Sequence, residues 1–92
     1  MAIAREFHGR GWTGPQYDEL ISRMDLSGQS APGVLFHWAA VVDDGVHAVD
    51  VYESREAADR LVQDKVGPIA GELGLPAPEI REYEVRGYLI PA

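Results

Sequence analysis

The 92 residues suffice for one domain, spanning residues 1–92, with one modest core and no separate catalytic or regulatory module. A net charge of −7, with the basic residues scattered among acids, disfavours nucleic acid and anionic membrane surfaces as partners. Cysteine is absent, which excludes disulfides, thiolate metal sites and a cysteine nucleophile.

Residues 2–8, with Ile3 and Phe7 among polar neighbours, read as a short strand. This segment carries charge at Arg5 and Glu6 and has no apolar run of signal-peptide length. No later stretch approaches the ~20 apolar residues of a membrane span, so a cytoplasmic protein is expected. Thr13 followed by Gln16 fits a capping box, and Pro15 sits in the first turn, where its missing N–H costs nothing. Tyr17, Leu20, Ile21 and Met24 then recur at helical spacing as one apolar stripe. Ser27-Gly28 and Ala31-Pro32-Gly33 are expected to end this helix.

Residues 33–54, GVLFHWAAVVDDGVHAVDVYES, predict a β-hairpin closed by a tight Asp44-Gly45 turn. With those two residues as the loop, Asp43 faces Val46, Ala39 faces Asp50, Trp38 faces Val51 and His37 faces Tyr52. Side chains alternate along each strand, so one face carries Val34, Phe36, Trp38, Ala40, Val49 and Val51. The other carries Leu35, His37, Ala39, Val41, Ala48, Asp50 and Tyr52.

Ser54 is expected to N-cap a second helix, with Leu61 and Val62 as its buried pair. Gly67-Pro68 is expected to break or kink that helix. A short piece over 69–73 then leads to Gly74 as C-cap. Pro76 and Pro78 stiffen the connection to a final strand over 79–89, whose larger residues are Ile80, Tyr83, Val85 and Tyr88. The order β-α-β-β-α-β with right-handed crossovers gives an α+β, ferredoxin-like domain: two helices on one face of a four-stranded antiparallel sheet. The more apolar hairpin face (Phe36, Trp38, Val49, Val51) is expected under the helices. The face bearing His37, Asp50 and Tyr52 is then left open for a second copy of the chain.

The run GVLFHWA, then DDG, then VDVYES before a helix, with a closing Glu-Tyr-x-Val-x-x-Tyr-Leu strand, resembles the dimeric α/β-barrel proteins. More narrowly, these motifs and the opening EFHGRGWTGPQYDEL are similar to small bacterial proteins grouped with antibiotic-biosynthesis monooxygenases. The resemblance implies a homodimer whose two sheets face each other and enclose a cavity in each protomer. Members of the wider group oxidise aromatic polyketides without metal or flavin, cyclise polyketides, isomerise or dehalogenate small molecules, or degrade haem. The haem-degrading branch and several monooxygenase branches use an asparagine beside Trp and His, and this chain contains no asparagine.

His37 and Asp50 make the sharpest chemical constellation: one face, adjacent strands, one residue pair apart in the predicted register. A carboxylate on one imidazole nitrogen fixes the tautomer and raises the basicity of the other, which builds a general base. Tyr52 is positioned to stabilise a developing oxyanion or enolate. The candidate catalytic residues are therefore His37, Asp50 and Tyr52, and the candidate substrate contacts are Leu35, Ala39 and Tyr83. The expected function is a cofactor-free enzyme, of monooxygenase, cyclase or isomerase type, acting on a hydrophobic, polyketide-like small molecule. The alternative is a non-catalytic homodimeric ligand-binding or accessory protein whose polar sheet face is the interface. A pocket of ~300 Å³ or more beside His37 and Asp50 favours the first reading. Residues 9–14, GRGWTG, match a dinucleotide-binding fingerprint, but that motif belongs to a parallel βαβ unit and here precedes a hairpin. His8, His37 and His47 lack metal-ligand spacing, so neither a metal nor a cofactor is expected.

Overall fold

A computed structural model describes residues 1–24 and 32–89. Thr13 and Gln16 close the expected capping box: Thr13 Oγ1 accepts from the Gln16 N–H at 3.2 Å, and Gln16 Oε1 accepts from the Thr13 N–H at 2.9 Å. They start helix α1 (Gly14–Met24), which follows strand β1 (Ile3–Arg10). Ser27-Gly28 and Ala31, expected to end this helix, lie outside the described residues. Strands β2 (Val34–Val42) and β3 (Gly45–Tyr52) form the hairpin. A helical run built of α2 (Arg55–Leu61), a π-helical segment (Val62–Val66) and α3 (Gly67–Glu72) comes next, and β4 (Glu79–Glu84) closes the chain. The sheet is antiparallel in the order β2-β3-β1-β4, which is the ferredoxin-like α+β arrangement.

The hairpin forms with its register two residues away from the predicted one. Val42 pairs with Gly45, so Asp43 and Asp44 are the loop, and His37 lies directly opposite Asp50. Gly45 belongs to the strand because a Cβ there would collide with the Gly9 carbonyl of the neighbouring strand. Asp44 in turn is held by the end of β1 and the turn after it: its carbonyl accepts from the Gly11 N–H at 2.8 Å, and its carboxylate lies 3.3 Å from Arg10 Nη1. A shift of two residues preserves which side chains share a face. A bulge at Leu35 then brings Val34 opposite Tyr52.

The faces are oriented opposite to expectation. Val46, Ala48, Asp50 and Tyr52 are buried under the helices, and Tyr52 joins Ile3, Leu20, Met24, Ala58 and Leu61 in the core. Phe36 and Trp38 remain 45% and 43% exposed on the outward face. The inward face wins because its small residues, Ala39, Val46 and Ala48, let the helices approach closely, and its polar groups satisfy one another. Buried polar groups that are fully hydrogen-bonded carry little penalty.

Ser54 caps α2 through its side chain, which accepts from the Ala57 N–H at 3.2 Å. Gly67-Pro68 neither ends nor breaks the helical run. The π-helical segment absorbs it, with the Gly67 N–H bonded to the Val62 carbonyl five residues back. Gly74, at φ +69°, terminates α3 with its N–H on Gly71 and the Leu75 N–H on Ala70, a Schellman motif. The final strand stops at Glu84, five residues short of the predicted end, and Tyr88 and Leu89 are exposed beyond it. Its charged residues suit a sheet edge. Arg5 ties β4 to β1 and α2 through ion pairs with Glu82 (3.0 Å) and Asp59 (2.6 Å).

Candidate active site

Pairing of β2 with β3 sets His37 beside Asp50, and Tyr52 comes two residues later on the same inward face. The His37 Nδ1–H donates to Asp50 Oδ1, and the Tyr52 hydroxyl donates to Asp50 Oδ2 at 2.6 Å. From the opposite wall Tyr17, in the first turn of α1, brings its hydroxyl to 2.5 Å from His37 Nε2. The four side chains form one line, Tyr17–His37–Asp50–Tyr52, running from helix to sheet. The partners set the proton positions: an ionised carboxylate only accepts, so His37 carries its proton on Nδ1 and its lone pair on Nε2, where Tyr17 donates.

Asp50 is 8% exposed and Tyr52 is fully buried, so the lower half of the line sits in a low-dielectric environment with both carboxylate oxygens occupied. Burial pushes the Tyr52 hydroxyl well above the usual tyrosine range, and the charge and hydrogen bond of Asp50 add to the shift. Burial likewise raises Tyr17, helped by the charges of Asp50 and Asp18. Both phenols therefore stay protonated at neutral pH and act as donors.

Tyr17, His37 and Asp50 border a cleft of about 70 Å³ between sheet and helices. Its walls are apolar, with Phe7, Leu20, Ile21, Met24, Leu61 and Val66 among them, and no lysine or arginine among the described residues lines it. The volume falls short of the ~300 Å³ expected of a site for ligand chemistry, so the cleft of the single chain does not by its size favour the enzyme reading.

The structure brings His37, Asp50 and Tyr52 together but separates them from the other sequence candidates. It also corrects the oxyanion role expected of Tyr52, whose fully buried hydroxyl is spent on Asp50 and does not line the cleft. Ala39 shares their face and packs against the core without bordering the cleft, and Leu35 is the bulge residue. Tyr83 lies on the outward face, where its hydroxyl is 3.3 Å from Glu6. Tyr17 was legible only as part of an apolar helical stripe. The usable signal was its hydroxyl, because a tyrosine on a buried stripe needs a polar partner. His8 and His47 oppose each other on the outward face, beside Asp44 and Glu6. Among the described residues no group of three or more His, Cys, Asp or Glu side chains is arranged to hold a metal ion. The GRGWTG segment has a packing explanation: a Cβ at Gly9 would overlap the Trp12 ring, and Gly11 turns the chain at φ +78°.

The same fold occurs in several solved structures. The chain is similar to SnoaB, a cofactor-independent oxygenase from Streptomyces nogalater, with TM-score 0.64 and 18% identity over 96% of this chain and 94% of that one. It is also similar to a candidate antibiotic biosynthesis monooxygenase from Chloroflexus aurantiacus J-10-fl, with TM-score 0.67 and 23% identity over 99% of this chain and 100% of that one. Rv0793 from Mycobacterium tuberculosis matches with TM-score 0.62 and 16% identity, covering 95% of each chain. No family model matches the chain, and no curated protein matches it. At these identities the shared property is the fold.

Proposed function

We propose that the chain is a cofactor-independent enzyme that removes a proton from an acidic C–H or phenolic O–H of a neutral, hydrophobic small molecule, with His37 as the base. The observation that carries this reading is the Tyr17–His37–Asp50–Tyr52 line, whose first three members border an apolar cleft. Asp50 holds the imidazole in the tautomer that leaves Nε2 basic and stabilises the imidazolium formed on proton uptake. Tyr52, whose hydroxyl is turned to Asp50, fixes that carboxylate in place. A cleft whose described walls carry no cationic side chain gives no counter-charge to a carboxylate or phosphate, and the Asp50 charge repels one. A neutral, polyketide-like aromatic fits these terms, with its reacting ring in the cleft and the remainder outside. Oxygenation, cyclisation or isomerisation of the resulting anion completes the reaction. The fold shared with a cofactor-independent oxygenase supports this class of chemistry.

The test is deuterium uptake at the acidic C1 position of 2-tetralone, a neutral enolisable bicyclic ketone, monitored by NMR in D2O. The full chain is expected to accelerate exchange over buffer, and His37→Ala to lower that acceleration by about 10²-fold. Exchange at the wild-type rate in His37→Ala would overturn the reading.

We further propose that the chain is a homodimer formed through the outward sheet face. Phe36, Trp38, Val49 and Val51 make an apolar area there, flanked by the charged residues of β1 and β4. The opposite face buries Val46, Ala48, Asp50 and Tyr52 under the chain's own helices, which argues against it as the interface. Trp38→Arg should convert a dimer to a single-chain species in sedimentation equilibrium, while leaving the circular dichroism spectrum intact. A wild-type chain that sediments as a monomer at micromolar concentration would refute the dimer.

A further inference from the structure

We infer that Tyr17 is the group that meets the substrate's acidic hydrogen, and that His37 withdraws the proton through the Tyr17 hydroxyl. This rests on the proton-abstraction reading and identifies the atom at which the substrate is engaged. Both ring nitrogens of His37 are already occupied: Nδ1 by Asp50 and Nε2 by Tyr17. A substrate entering the cleft therefore finds no free imidazole lone pair. The Tyr17 oxygen has given its only hydrogen to Nε2 and retains acceptor capacity. Tyr17 also borders the cleft, and α1 holds it there through the closed capping box at its N-terminus.

The transfer balances in one step. The substrate C–H (or O–H) bond breaks as an O–H bond forms at Tyr17, while the former Tyr17 proton forms an N–H bond at His37 Nε2. The electron pair stays on the substrate as an enolate or phenolate, and the imidazolium is held by Asp50. Tyr17 ends as a neutral phenol beside the new anion and hydrogen-bonds to it. Burial disfavours a free Tyr17 phenolate, so the two proton movements are coupled.

The test uses the full chain and 2-tetralone exchange in D2O. Tyr17→Phe keeps the ring and removes only the oxygen, and it is expected to lower exchange by about 10²-fold, as His37→Ala does. The denaturation midpoint is expected to stay close to that of the wild type. Tyr17→3-fluorotyrosine keeps the hydroxyl but makes it more acidic, and is expected to restore most of the exchange with a several-fold altered rate. If Tyr17 only fills space, the phenylalanine and fluorotyrosine variants behave alike, which overturns the inference. Wild-type exchange in Tyr17→Phe alongside lost exchange in His37→Ala also overturns it, because His37 then meets the substrate directly and the function stands. Wild-type exchange in both variants, or a native chain no faster than buffer, removes both proposals.

Discussion

Asp50→Ala is expected to lower the unfolding free energy by about 2 kcal/mol, because it strands the buried Tyr52 donor and removes the acceptor of the His37 Nδ1–H. The Tyr52 hydroxyl is fully buried and has Asp50 Oδ2 as its acceptor, and the His37 Nδ1–H has Asp50 Oδ1. The Tyr52 hydroxyl has no water to replace the lost oxygen unless the core opens, whereas exposed His37 can turn to solvent. For a domain of this size the thermal midpoint should fall by about 10 °C, read by calorimetry, with a matching loss in urea unfolding. Asp50→Asn offers one acceptor oxygen where the native residue offers two, so it should fall between the alanine variant and the wild type. Equal stability of Asp50→Ala and the native chain would mean that the line is solvated, and the packing explanation of the inward face would fail with it.

Trp12→Ala is expected to cost about 4 kcal/mol, the range for removing a large buried aromatic. Trp12 is 8% exposed in the core, and its indole Nε1–H donates to the Pro76 carbonyl at 2.9 Å, fastening the β1–α1 turn to the segment before β4. Deletion creates a cavity at the end of the cleft and releases that segment together. Gly9→Ala attacks the same contact from below by placing a methyl group inside the indole ring's space, at about 1–3 kcal/mol. Urea midpoints compare the two. A loss below about 1 kcal/mol for Trp12→Ala would place the ring outside the cooperative core.

Local chemistry made much of this fold legible. The capping box at Thr13, the Ser54 cap and the Gly74 terminus each arise from what an exposed N–H or carbonyl needs, and those needs do not depend on the rest of the chain. The hairpin was legible as a hairpin, but Asp-Gly pulled the predicted turn one residue too far. Gly45 is required by the close approach of Gly9 on β1, a contact between residues distant in sequence. The orientation of the sheet failed for a related reason. Counting apolar residues favours the Phe36–Trp38 face, but the mutual pairing of His37, Asp50 and Tyr52 removes most of the penalty on the other face, whose small residues admit the helices. That pairing also needs Tyr17 from α1, and no spacing rule within the hairpin points to a helix residue twenty positions earlier.

The π-helical segment has a consequence for how this chain is counted. Ala58 and Leu61 face the sheet before it, and Val66, Ile69 and Leu73 pack against the same core after it. Leu61 to Val66 is a step of five, where an α-helix returns to the same side after three or four. Val62–Val66 thus holds one residue more than a regular helix would, and the wider turn keeps both halves in phase. A relative with an unbroken α-helix here would be one residue shorter with the same inward side chains. The gap in its alignment to this chain would then fall inside a helix, between Leu61 and Gly67, and not in any connecting loop.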